Sequence, residues 1–98
     1  SQYATDVEYA TSVDQFPDTD GNSAKWLISI NEGTSYKTSE IISIWDPTTN
    51  LTNFAEVTTN VIGTVPVAMS VNISGDNVRL IANPASGSWT IKSLRFVL

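Results

Sequence analysis

The stretch Val67-Ala68-Met69-Ser70-Val71-Asn72-Ile73-Ser74-Gly75-Asp76-Asn77-Val78-Arg79-Leu80-Ile81-Ala82 decides the fold class. Val67, Met69, Val71 and Ile73 take every second position, with Ala68, Ser70 and Asn72 between them. A strand sends alternate side chains to opposite faces, whereas a helix would space its apolar residues three and four apart. Ser74-Gly75-Asp76 then reads as a short hairpin connection, in which glycine supplies the positive φ that such turns use. Val78, Leu80 and Ala82 resume the alternation opposite Arg79 and Ile81, so Val78 and Leu80 are expected to face a core.

The same grammar extends in both directions. Toward the C-terminus, Asn83 to Ser88 is a turn, and Trp89 to Val97 is a strand with Lys92, Leu94 and Phe96 on one side and Ile91, Ser93 and Arg95 on the other. Leu98 follows at once, so this strand is expected to be tied into a sheet rather than frayed. Toward the N-terminus, Gly63 and Pro66 break the chain, and Pro66 suggests an edge position or a strand start. Leu51 to Thr58 is expected to pair back on the strand before it, across the turn Asp46-Pro47-Thr48-Thr49-Asn50. Tyr36 to Asp46 sets Ile42 and Ile44 on one face and Ile41, Ser43 and Trp45 on the other. Asn31-Glu32-Gly33-Thr34 is a turn, and the strand before it carries Trp26, Ile28 and Ile30 on one face. Phe16 to Asn22 reads as a loop. Residues 1–12, in which Thr5, Val7, Tyr9 and Thr11 alternate with polar neighbours and Ala10, fit either a first strand or an arm that assembles with a neighbouring subunit.

Seven or eight short strands at this spacing, with no convincing helix, predict an all-β, single-domain β-sandwich of antiparallel strands, jelly-roll-like or Ig-like, with a small barrel as the alternative. Composition agrees. The 98 residues hold 9 Val, 9 Ile and 12 Thr, residue types that fit a pleated surface, and the length is that of one domain spanning residues 1–98.

The absence of cysteine and histidine excludes disulfides, thiol nucleophiles, thiolate metal sites, imidazole ligands and His-based triads. Serine catalysis would then need lysine as its base, and no Ser-x-x-Lys or Gly-x-Ser-x-Gly motif is present. Asp18-Thr19-Asp20-Gly21-Asn22 resembles the start of a calcium loop, but the twelfth position, which needs a carboxylate, is Ser29. It reads as a polar turn. No catalytic residue, metal ligand or cofactor is expected, and the chain is not expected to be an enzyme. Ten acids against five bases give a net charge of −5, a poor match for nucleic acid or an anionic membrane surface. Asp6, Glu8, Asp14, Asp18 and Asp20 crowd the first 20 residues, while Arg79, Lys92 and Arg95 occupy the last 22 without an acid. Either an acidic first strand lies near a basic last one within the fold, or complementary surfaces meet head to tail between subunits.

From about Val13 onward the sequence resembles a recurrent β-rich domain of tailed-bacteriophage virion proteins. The resemblance rests on Val13-Asp14-Gln15-Phe16 before a loop, Ser23-Ala24-Lys25-Trp26-Leu27-Ile28-Ser29-Ile30, Tyr36 to Asp46, Gly75-Asp76-Asn77-Val78-Arg79-Leu80, Asn83-Pro84-Ala85, Thr90-Ile91-Lys92 and Arg95. Asn60 to Pro66 departs from the family's glycine-containing loop, and residues 1–12 lie outside the match. The resemblance implies a non-enzymatic structural role in the virion, assembled in the host cytoplasm. A capsid decoration or cement protein is the first expectation, bound to the major capsid protein or other virion proteins and homo-oligomeric on the particle. A tail, neck or fibre-associated component is the second. A carbohydrate-binding module is the alternative of another class, with Trp45 as the candidate for stacking on a glycan. Tyr3, Val7, Tyr9, Arg79 and Arg95 are the candidate subunit-interface residues.

Overall fold

A computed structural model describes all residues, Ser1–Leu98. Eight strands follow one another: β1 (Gln2–Val7), β2 (Thr11–Pro17), β3 (Ser23–Asn31), β4 (Tyr36–Asp46), β5 (Leu51–Ile62), β6 (Val67–Ser74), β7 (Asn77–Pro84) and β8 (Trp89–Val97). They form a five-stranded sheet of order β1-β8-β3-β4-β5 and a three-stranded sheet of order β2-β7-β6. Every pairing is antiparallel. The fold is thus all-β, two packed sheets rather than the closed barrel that periodicity had left open. First pairs with last and second with seventh, the nested order of a jelly roll. The meander β3-β4-β5 departs from that order by staying in one sheet.

The core lies between the sheets. Trp26, Ile28 and Ile30 of β3, Ile41 of β4, Val78, Leu80 and Ala82 of β7 and Ile91 of β8 are buried, each on the face that alternation assigned to it. Phe16 packs edge-on against Trp45 at 5.4 Å between ring centroids and tilted against Trp26 at 6.0 Å. Polar contacts lock one sheet to the other. Trp26 donates its indole N–H to Asp14 Oδ2 at 2.8 Å, and Arg95 Nη1 donates to Asp14 Oδ1 at 3.0 Å and to the Gln15 carbonyl at 3.3 Å. The Arg95 guanidinium also lies 4.4 Å from the centre of the Phe16 ring, a cation–π distance. One buried carboxylate on β2 therefore joins β3 and β8. Ser39 on β4 is the one buried side chain whose hydroxyl has no partner.

Three segments differ from their sequence reading. Residues 1–12 do not form one continuous strand. β1 pairs with β8 inside the domain, a bulge between Ala4 and Val7 with Asp6 at φ 54° bends it, and the chain crosses to the other sheet before β2 starts at Thr11. Phe16 belongs to β2 and not to the following loop, because Phe16 pairs with Val78 and Pro17 with Asn77. β5 runs to Ile62, past the expected end at Thr58. Its extra length passes through a bulge at Thr59, whose hydroxyl donates to the Thr38 carbonyl at 2.7 Å, and pairing with β4 resumes at Asn60. The C-terminus is held as expected: Leu98 exchanges backbone hydrogen bonds with Ser23, and its carbonyl also accepts from Asn22. A Cβ at Gly21 would clash with that carbonyl oxygen, so the loop needs glycine there.

Candidate interaction surface

The five-stranded sheet has two faces, and its outer one is not covered. In β4, Ile41, Ser43 and Trp45 point into the sandwich while Ile42 and Ile44 point out. In β8, Ile91 and Ser93 point in while Lys92, Leu94 and Phe96 point out, and in β3 the outward residues are Lys25, Leu27 and Ser29. Strand register aligns these into rows. Phe96, Lys25, Ile42 and Ala55 lie side by side across β8, β3, β4 and β5, and in the next row stand Leu94, Leu27, Glu40 and Val57. Ile44 extends the first row's flank beside Asn53.

The result is an apolar field around one charged pair, with a third charge, Lys92, at its margin beside Leu94. Leu27, Ile42, Ile44, Val57, Leu94 and Phe96 are each 42–59% exposed. Lys25 and Glu40, diagonal neighbours on adjacent strands, meet at 3.5 Å in their midst, with side chains 46% and 37% exposed. In water such a pair contributes little to stability. Scattered apolar residues on a surface are ordinary, but a contiguous patch on one flat face marks an interaction site. The sheet's backbone hydrogen bonds fix the strands that carry these side chains, so the face is presented without ordering any loop.

At its free edge the same sheet ends in β5, 12 residues with Glu56 as the single charge. Glu56 points back and pairs with Lys37 at 3.2 Å. Charge on the open edge, one of the usual guards of edge strands, is therefore missing; the bulge at Thr59 is the guard that remains. The opposite edge, β1, is short and bent by its own bulge.

No protein-family model matches the chain, and no curated protein matches its sequence.

The residues singled out from sequence have separate fates. Trp45 is 5% exposed and offers no face to a sugar. Its position at a strand end beside Asp46 suggested exposure, but the loop after β2 folds over it. Its indole N–H donates to the Asp18 carbonyl at 2.9 Å, and Phe16 closes the other side. Val7 is no surface residue either. The β1 bulge turns it inward opposite Trp89, and it joins the core. Arg95 is bound to Asp14 within the chain, so the acidic start and basic end of the sequence meet inside one fold at this pair. Arg79 is half-buried and donates to Asn72 Oδ1 at 3.0 Å. Tyr3 and Tyr9 stay exposed, Tyr3 with the Lys92 ammonium 5.4 Å from its ring centre. Of the five interface candidates Tyr3 alone stands on the outer face, paired with Lys92 at the β1 margin of the sheet; Val7, Tyr9, Arg79 and Arg95 lie elsewhere.

The outer-face residues are visible in the sequence as a pattern. Ile41-Ile42-Ser43-Ile44-Trp45 is apolar on both phases of its alternation. Such a strand is expected to be covered on both faces, as in sheets buried from both sides. The structure covers one of them.

Proposed function

We propose that the chain is a non-enzymatic structural protein of a tailed-bacteriophage virion, a decoration or cement protein on the outside of the head. The observation that carries this reading is the uncovered apolar face of the five-stranded sheet. An apolar surface carried on a hydrogen-bonded sheet suits contact with another folded protein, where its area is buried without ordering a loop. The sequence resemblance supplies the setting, a particle in which this face meets a neighbouring protein, another copy of the chain included, and the major capsid protein is the lattice partner it implies. A sugar-binding role has no aromatic platform at Trp45 to rest on.

Copy number tests the proposal. Quantitative mass spectrometry of purified virions, referred to the major capsid protein, is expected to find this chain on the order of hundreds of times per particle, as repeated symmetric sites require. A few to a few dozen copies would move it to the tail, neck or vertices. Its absence from the particle would overturn the virion reading.

A further inference from the structure

We infer that the outer face of the five-stranded sheet is covered by the same face of a second copy of this chain, giving a two-fold symmetric, face-to-face dimer. This rests on the reading of that face as an assembly surface, and not on which particle the chain serves.

Charge decides the occupant. Lys25 and Glu40 are the charges at the centre of the face, with Lys92 at its margin; whatever covers the centre must place an acid near Lys25 and a base near Glu40, with apolar surface around both, because an ion pair enclosed without further partners loses more hydration than its own attraction returns. The chain carries that pattern itself. A two-fold axis lying in the interface and passing between Lys25 and Glu40 exchanges their places, so each lysine meets the other subunit's glutamate and a neutral four-charge cluster forms. The same operation brings the Leu27–Leu94 region over its own copy and the Ile42 region over its own, apolar on apolar. An isologous contact needs this self-complementarity. Neither a lipid surface nor a uniformly apolar partner would satisfy the central charges.

Area agrees. Covering the six apolar side chains and the charged pair removes on the order of 700 Å² from each subunit, near the ~800 Å² that each partner contributes to a standard interface. The dimer closes, so it leaves the three-stranded sheet and both sheet edges facing outward for other contacts.

Sedimentation equilibrium of the purified chain, with charge reversal, tests this. The wild type is expected to sediment as a dimer at micromolar concentration. Lys25→Glu sets two acids from each subunit against one another and is expected to weaken dimerisation at least tenfold, as is Glu40→Lys. The double exchange, Lys25→Glu with Glu40→Lys, rebuilds the neutral cluster and is expected to restore most of the affinity. Thermal melts of the dissociated variants exclude unfolding as the cause. A wild type that stays monomeric to millimolar concentration overturns the inference, and so does a monomer that binds capsids or neutral lipid vesicles through this face. A dimer that ignores both single reversals overturns it as well. Copy number in the virion bears on the particle and sedimentation on the occupant, so the two readings fail separately.

Discussion

Ile41 and Ile42 stand next to each other in β4 and face opposite worlds: Ile41 is fully buried between the sheets, while Ile42 is 55% exposed on the outer face. The same contrast runs through β8, where Ile91 is buried and Leu94 and Phe96 are open. On the inner face each apolar side chain is accounted for by the core it fills. On the outer face the side chains are of the same kind, yet the isolated fold gains little from them. Residues of equal hydrophobicity thus stand in two settings within one sheet, one facing the chain's own core and the other open to solvent.

Truncating each isoleucine in turn separates the two settings. Ile41→Ala is expected to cost about 2–5 kcal/mol of folding stability, the range for a buried large-to-small change. Ile42→Ala is expected to cost less than about 1 kcal/mol, mostly through strand propensity. Urea unfolding at sub-micromolar protein, where association does not contribute, measures both. Equal losses would mean that the outer face is part of the fold's own packing.

A second change tests what holds the two sheets together. Asp14→Ala removes the acceptor of the Trp26 indole N–H and the partner of Arg95, leaving a buried donor unpaired. We expect a loss of about 2–4 kcal/mol, reduced from the value for a wholly enclosed pair because Arg95 reaches water. Asp14→Asn keeps an oxygen for Trp26 and should recover part of that loss. Full recovery would show that the indole bond outweighs the ion pair.

The sequence made the fold legible wherever only one phase of a strand is apolar. Val67 to Ile73 and Val78 to Ala82 needed no further information, because polar residues on the alternate positions named the outside. It was less legible where local and distant contacts compete. Trp45 looks exposed from its neighbours and is buried by a loop 27 positions away in sequence, through its bond to Asp18. Val7 is turned inward by a bulge, and one extra residue in a strand leaves no mark in composition. The outer face was written as a double alternation in β4 and β8. Reading it as a surface requires knowing that nothing in the chain covers it, which depends on how many layers the chain forms. All eight strands are used in two sheets, and alternation within a strand carries no count of the layers around it.

The smallest expected effect concerns the turn that aligns β4 with β5 and so sets the rows of the outer face. Asp46 Oδ1 accepts the Thr48 backbone N–H at 2.9 Å, and Asn50, at φ 59°, closes the turn by donating its N–H to the Asp46 carbonyl at 2.8 Å. The Thr48 backbone hydrogen bond foremost, helped by the Thr49 hydroxyl and N–H, holds the Asp46 carboxyl below its ordinary value, while slight desolvation opposes the shift. A carboxyl that is more acidic folded than unfolded stabilises the fold fully above its unfolded pKa, and that contribution is lost as pH falls through the folded value. The loss therefore falls below about pH 4, where a free aspartate begins to protonate. Asp46→Asn keeps the acceptor for Thr48 and removes the titration, so its stability should match the wild type near pH 7 and fall less steeply on acidification. Carbon-detected NMR titration should place the Asp46 midpoint below that of a free aspartate. An ordinary midpoint, or identical acid limbs for the two proteins, would mean that the Asp46 carboxylate gains nothing from this turn. The register of β5, and the rows of the outer face with it, would then be set by pairing along the strand and not by the turn that begins it.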